Sequence, residues 1–281
     1  MQIQTYYPNN HLLARHIAYF YYVISKNADF SASYYAFPHV YNGLSIYRSA
    51  NYQATANSVT TYSDNKKNHG AFLQSRYQFP LKVTLNGPVD QVTIVFKPLG
   101  INHFMDAHFG DLAKHVSQPF DQWQGRNYNI FLNKFFATNN FEQRTALIET
   151  FLLTVYKPFS DYVIMKEAVD LISDLDSKFE AAQMAAALNV SVRTLNRLFI
   201  KHLGLSPVAY RKSLQFRHSL KNKLYNEQFK RLTDICYESN FYDASYFNRI
   251  YKQFTGSNPA RFFKAVDNKG DNMPLFQYLY H

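Results

Sequence analysis

Asn196-Arg197-Leu198-Phe199 returns 52 residues later as Asn248-Arg249-Ile250-Tyr251. Its neighbours keep the same step: Gly204 and Gly256, Pro207 and Pro259, Tyr210 and Phe262. A fixed internal offset marks one structural unit used twice. Each unit reads as two short helices joined by a tight turn. In the first, residues 179–188 form a helix with Met184, Ala185 and Leu188 inward. Asn189 suits a left-handed turn and Ser191 suits the N-cap of the next helix. On that second helix Leu195, Leu198 and Phe199 share one face by i, i+3, i+4 spacing, and Arg193, Asn196 and Arg197 fall on the other. In the second unit Leu232, Ile235 and Cys236 face inward, Asn240 makes the turn, Phe241 plugs it and Asp243 caps. Phe247, Ile250 and Tyr251 then face in, and Ala244, Ser245, Asn248 and Arg249 face out. This second turn is one residue longer.

Between the units, residues 206–225 read as one helix. Pro207 stands at its first helical position, and no breaker follows before Asn226. About 20 residues of helix span about 30 Å, close to the ~34 Å between successive major grooves on one face of DNA. Such a spacer can hold two helices in adjacent groove segments. The residue types fit that task. Arg forks onto guanine O6 and N7, and Asn pairs in the same bidentate way with adenine. Lys201, Arg211, Lys212, Lys221, Lys223, Lys230 and Lys252 are candidate phosphate contacts, which fix position without reading sequence.

Charge points the same way. The 281-residue chain has a formal net charge of +10. Residues 191–264 carry 14 Lys and Arg against 4 Asp and Glu, so the rest, with 16 of each sign, is neutral. A basic region joined to a neutral one suits a polyanionic partner for the basic part. The hydrophobic content of 47% excludes a disordered chain. The single cysteine, Cys236, excludes an internal disulfide framework. The start, Met1-Gln2-Ile3-Gln4-Thr5, shows no secretory pattern, and no run approaches the ~18 apolar residues of a membrane span. A soluble cytoplasmic protein is expected.

Residues 165–264 resemble the DNA-binding domain of AraC/XylS-type transcription regulators. The likeness rests on Met184-Ala185-Ala186-Ala187-Leu188-Asn189-Val190-Ser191, Leu195-Asn196-Arg197-Leu198-Phe199, Gly204-Leu205-Ser206-Pro207, Ser245-Tyr246-Phe247-Asn248-Arg249 and Gly256-Ser257-Asn258-Pro259. Asn240 stands where that family usually has Gly, Cys236 where Ala is usual, Asn258 where Ser is usual and Phe263 where Arg is common. None of these removes a recognition position. The resemblance implies two helix-turn-helix units joined by a long helix. Carried over by position, the base readers are Arg193, Asn196 and Arg197, then Ser245, Asn248 and Arg249. It also implies an N-terminal domain that senses a small ligand, mediates dimerisation, or both, with RNA polymerase as a candidate partner.

The N-terminal sequence supplies a different pattern. Residues 16–25, 44–49, 58–62, 72–79 and 89–96 are rich in Val, Ile, Thr, Tyr and Phe, and turn residues separate them. They suggest a barrel or sandwich. Helical spacing begins near Asn102 and is clear over 128–136 and 141–156. The expected fold class is α+β: a mainly β sensor-like domain over 1–110, a helical linker and candidate dimerisation segment over 111–159, a double helix-turn-helix domain over 160–268 and a loose tail over 269–281. His16, His39, His69, His103, His108 and His115 are scattered with no His-x-His pair, so no metal and no cofactor is expected.

Three functions compete. A ligand-responsive DNA-binding regulator fits best. A nucleic-acid-processing enzyme would need clustered acidic metal ligands or a nucleophile with its base; Asp106 and Asp111 are the nearest approach and converge on nothing else. A constitutive architectural DNA-binding protein would have no effector.

Overall fold

A computed structural model describes residues 1–66, 68–177, 180–225, 231–265 and 276–279. The N-terminal part begins with β1 (Gln2–Tyr6), α1 (His11–His16), β2 (Ile17–Ser25), β3 (Ser31–Ala36), β4 (Asn42–Arg48) and β5 (Ala50–Ala54). It continues with β6 (Ser58–Ser63), β7 (His69–Gln74), β8 (Leu81–Asn86), β9 (Val89–Phe96), α2 (Phe109–Leu112) and β10 (Ser117–Pro119). Two helices follow, α3 (Arg126–Ala137) and α4 (Phe141–Val155). The strands make two sheets, ordered β1-β2-β9-β4-β7-β10 and, counting a C-terminal β11 (Phe276–Leu279), β11-β3-β8-β6-β5. Every pairing is antiparallel except β6 with β8.

The period of two along each strand divides the apolar residues between two cores. Phe20 and Tyr22 on β2, Leu44 and Ile46 on β4, and Val92 and Ile94 on β9 pack with Phe131, Phe135, Ile148 and Leu152 of α3 and α4. The alternate residues, among them Val23, Tyr47, Phe72 and Val89, face the second sheet with Leu81, Val83 and Leu85. The central strands β2, β4 and β9 are thus covered on both faces, which explains the long apolar runs of β2 and β9. The apolar side of α4 lies on its own sheet, and its fully buried Arg144 grips Asp90 of β9 with both guanidinium nitrogens, at 2.5 and 2.9 Å.

The C-terminal part is helical: α5 (Tyr162–Ser173), α6 (Ala181–Ala187), α7 (Val192–Leu203), α8 (Pro207–Tyr225), α9 (Leu232–Glu238), α10 (Ala244–Thr255) and α11 (Pro259–Ala265). This confirms the α+β reading. Two further cores lie here, one for each helical pair, and each takes in residues from the β part. Val40 and Leu99 pack with Leu195, Phe199 and Tyr210. Phe37 packs with Phe216, Phe247 and Phe262. Of the tail expected to be loose, residues 276–279 pair with β3 as β11, and 267–271 lie outside the described residues. No helix among the described residues is long and apolar enough to cross a membrane.

Candidate nucleic-acid interface

The two units repeat at the level of single atoms. Asn189 and Asn240 hold φ of 53° and 55°, in the left-handed region that the turn requires and that Asn tolerates. The next backbone N–H in each case reaches back five residues, Val190 to Ala185 at 2.9 Å and Phe241 to Cys236 at 3.1 Å. This closes the first helix by the same C-terminal motif twice. The second helix of each pair then starts on a side-chain cap. Ser191 Oγ accepts from Thr194 N at 3.1 Å, and Asp243 Oδ1 accepts from Tyr246 N at 2.6 Å. Each ends on a left-handed glycine, Gly204 or Gly256, at φ 68° and 74°. Helices α7 and α10 therefore both run 12 residues and stand 52 apart.

Their inner faces are buried: Leu195, Leu198 and Phe199 in one, Phe247, Ile250 and Tyr251 in the other. On the outer faces Arg193, Arg197, Ser245, Asn248 and Arg249 are exposed and Asn196 is half-buried. Asn196 and Asn248 make the same local bond, donating from Nδ2 to the carbonyl four residues back at 2.8 Å. The Arg249 guanidinium stands over the Tyr246 ring, 5.0 Å from its centroid. That contact limits its rotamers before any partner arrives. The six expected base readers thus fall on two equivalent surfaces, three on each.

The expected phosphate contacts divide. Lys221 and Lys252 are exposed, and Lys212 and Lys223 are half-buried. Lys230 lies outside the described residues. Lys201 pairs with Asp161 at 2.7 Å, and the same carboxylate oxygen is 2.7 Å from His202 Nε2. Those two bonds hold the Asp161 carboxyl below its ordinary range. Lys201 is therefore engaged with Asp161, the N-cap residue of α5. Arg211 is not a phosphate contact: it is buried at 5% exposure. It donates to the carbonyls of Ile172, Asp174, Leu175 and Ser177, stitching the segment after α5 to α8. Its position beside Lys212 in sequence gave no sign of this, because on a helix adjacent residues point about 100° apart.

Two exposed aromatics escaped the sequence reading. Tyr242 is 89% exposed and is the extra residue of the longer turn, directly before the cap of α10. Tyr237 on α9 is 65% exposed. The longer turn was itself the available signal.

Behind this interface the β part is docked closely. The Arg76 guanidinium donates to Leu203 O at the end of α7, to His39 O, Val40 O and Tyr41 O, and to Asn42 Oδ1, all between 2.7 and 3.1 Å. From α8, Arg217 donates to Pro38 O at 2.7 Å and Phe37 O at 2.6 Å. Between the two sheets, beside these arginines, lies a cavity of about 60 Å³. Tyr21, Tyr34, Tyr77, Asn42, Gln74 and Thr93 supply its polar wall. The His39 ring also lines it. Burial, then Arg217 and Arg76, hold His39 well below its usual pKa, so it is neutral. Its Nδ1 accepts from Tyr41 N at 2.8 Å.

Paired, equivalently capped recognition helices with a 19-residue helix between the units define a double helix-turn-helix DNA-binding domain. Comparison with known proteins agrees: residues 184–265 match the model of a helix-turn-helix domain family. This is the arrangement that the resemblance to AraC/XylS-type regulators implied. The chain is 28% identical over 171 residues to the arabinose operon regulatory protein of Escherichia coli K12, a match covering 60% of this chain and 55% of that protein. It is 29% identical over 104 residues to an uncharacterized HTH-type transcriptional regulator, YidL, of the same organism, covering 37% of this chain and 34% of that one. The chain thus spans about half, or less, of the length of these curated relatives. Among solved structures, ToxT from Vibrio cholerae aligns over 94% of this chain and 98% of its own, with a TM-score of 0.46 and 12% identity.

Proposed function

We propose that the chain is a sequence-specific DNA-binding transcription regulator, not an enzyme, working in the cytoplasm and responsive to a small effector held by its β part. One observation carries the DNA-binding half of this reading. Two helices with equivalent caps, equal length and the same Asn-Arg pair on their outer faces are presented from two separate cores. One such helix fills one groove segment; two on a common frame read two. RNA polymerase is the candidate protein partner of such a regulator.

The cavity between the sheets supports the effector half. Among the described residues no charged side chain lines it, and its wall offers hydroxyls, amides and a neutral imidazole. Asn42 is 97% buried, yet its amide nitrogen has no partner among the described residues. A buried donor left unmade costs about 1–3 kcal/mol, and an oxygen acceptor on a ligand recovers it. The effector class is therefore a small, uncharged molecule carrying a carbonyl or hydroxyl oxygen.

The test is a selection of duplexes from a random pool by the purified full chain. Their affinity is then measured across a panel of uncharged metabolites and their acidic analogues. Selected and random DNA binding alike would end the regulator reading. A shift produced only by charged compounds would end the assignment of effector class.

A further inference from the structure

We propose that the segment 37–42 couples the cavity to both helix-turn-helix units, with the Asn42 amide as the sensing group and Arg76 and Arg217 as the two links. This rests on the effector reading given above and adds how occupancy would reach the DNA-binding surface. The segment joins β3 to β4, and four of its residues, Phe37, His39, Tyr41 and Asn42, line the cavity. The other side of the same segment enters the helical domain. The Val40 side chain is part of the core of the first unit and the Phe37 side chain part of the core of the second.

The polar bonds follow two matching routes. A guanidinium has only donors, so the amide atom of Asn42 that faces Arg76 at 2.9 Å is its oxygen. The amide nitrogen is then the group left for a ligand. A ligand oxygen bonded there pulls on one end of an amide whose other end is held by Arg76. The same guanidinium holds Leu203 O, the carbonyl next to the left-handed Gly204 that ends α7. The path from cavity to first recognition helix is thus two side chains long. The second route starts at Phe37 and Pro38, whose carbonyls Arg217 of α8 grips. Phe37 meets the Phe262 ring edge-on at 5.0 Å, and Phe216 meets Phe254 and Tyr251 in the same core. Both arginines are held by backbone carbonyls of one loop, so moving that loop re-aims both. Discrete packing turns small shifts of this kind into a change of state.

The experiment supplies a cavity occupant without knowing the effector. In the full chain, Cys236→Ala removes the one native thiol, which is buried. Gln74→Cys then places a thiol at a half-exposed position on the cavity wall. N-Ethylmaleimide, an uncharged ring with two carbonyl oxygens, is the probe. Quantitative labelling is checked by mass, and affinity for a selected full site is read by anisotropy. Amide exchange is followed over 198–205 and 212–222. The expected result is a change in full-site Kd of roughly fivefold or more on labelling, with altered exchange in both segments. In Arg76→Lys and Phe37→Leu backgrounds that remain folded, the change shrinks below about twofold, the level of no resolved coupling. A labelled protein with unchanged affinity overturns the coupling. So does an effect that persists in full in both backgrounds; in that case the cavity still regulates and the effector reading survives without this loop. Failure of the unlabelled chain to prefer its selected site is a separate outcome, which sinks the regulator reading itself.

Discussion

Arg211 and Lys212 are adjacent basic residues with different tasks. Arg211 spends its guanidinium on four backbone carbonyls, whereas Lys212 is half-buried with its helix. Replacing Arg211 by Ala leaves buried acceptors unpaired, at about 1–3 kcal/mol. The expected outcome is a lower denaturation midpoint with a normal salt slope of DNA binding for the molecules still folded. Replacing Lys212 by Ala should do the reverse, lowering the log–log salt slope by about one with little change in the midpoint. Urea titration and salt-dependent anisotropy on both variants check this. Net charge could identify the region but not the two tasks. Spacing did better on the recognition face, since Arg193, Arg197 and Arg249 follow from the 3.6 period and are exposed as expected. The links at Arg76 and Arg217 had no such signal. Their partners are carbonyls of the 37–42 segment, distant in sequence and without side-chain identity.

Caps made the C-terminal elements legible. Ser191, Asp243, Asn189 and Asn240 fixed the ends of four helices because each uses local chemistry alone. The strands were harder. β1, β3, β5, β8 and β10 were missed: β3 and β5 are short, with small or polar residues, and are stabilised by their neighbours in the sheet rather than by their own pattern. Element contacts yield two predictions. Gly110 on α2 packs so close to α7 that a Cβ there would lie 2.2 Å from Ile200 O. Gly110→Ala should therefore push α2 from α7 and speed amide exchange over 198–205, while 244–255 keeps its protection. Equal loss in both helices would contradict local docking. The second concerns His16, which ends α1 with its ring 4.0 Å from that of His103. Burial, then His103, Arg15 and Lys97, lower its pKa to about 4. The unfolded chain takes up this proton near pH 6.5, so it binds more protons than the fold below that pH. Stability from this residue is constant above about 6.5 and falls as pH drops toward about 4. The Tm of the wild type should fall between pH 7 and 5, and that of His16→Phe should fall less. An equal fall would remove His16 from the account.

At the scale of the molecule, the β part contributes to the cores of the helical part: Phe37, Val40 and Leu99 complete them. Sequence separation hid this, because a core residue on one element carries no mark of which element covers it. The repeat itself was plain, and it supports the central claim: two recognition helices on one frame read two successive groove segments. The helix between the units has 19 residues, about 28 Å, against the ~34 Å groove repeat. The most direct measurement is a hydroxyl-radical footprint on a selected duplex, made with the wild type, Arg197→Ala and Arg249→Ala. The account predicts two protected segments about one helical turn apart. Each substitution should cost roughly 1–3 kcal/mol and relax base preference in one segment only, a different one for each. A footprint confined to one segment, or equal weakening of selected and random DNA by both substitutions, would contradict it.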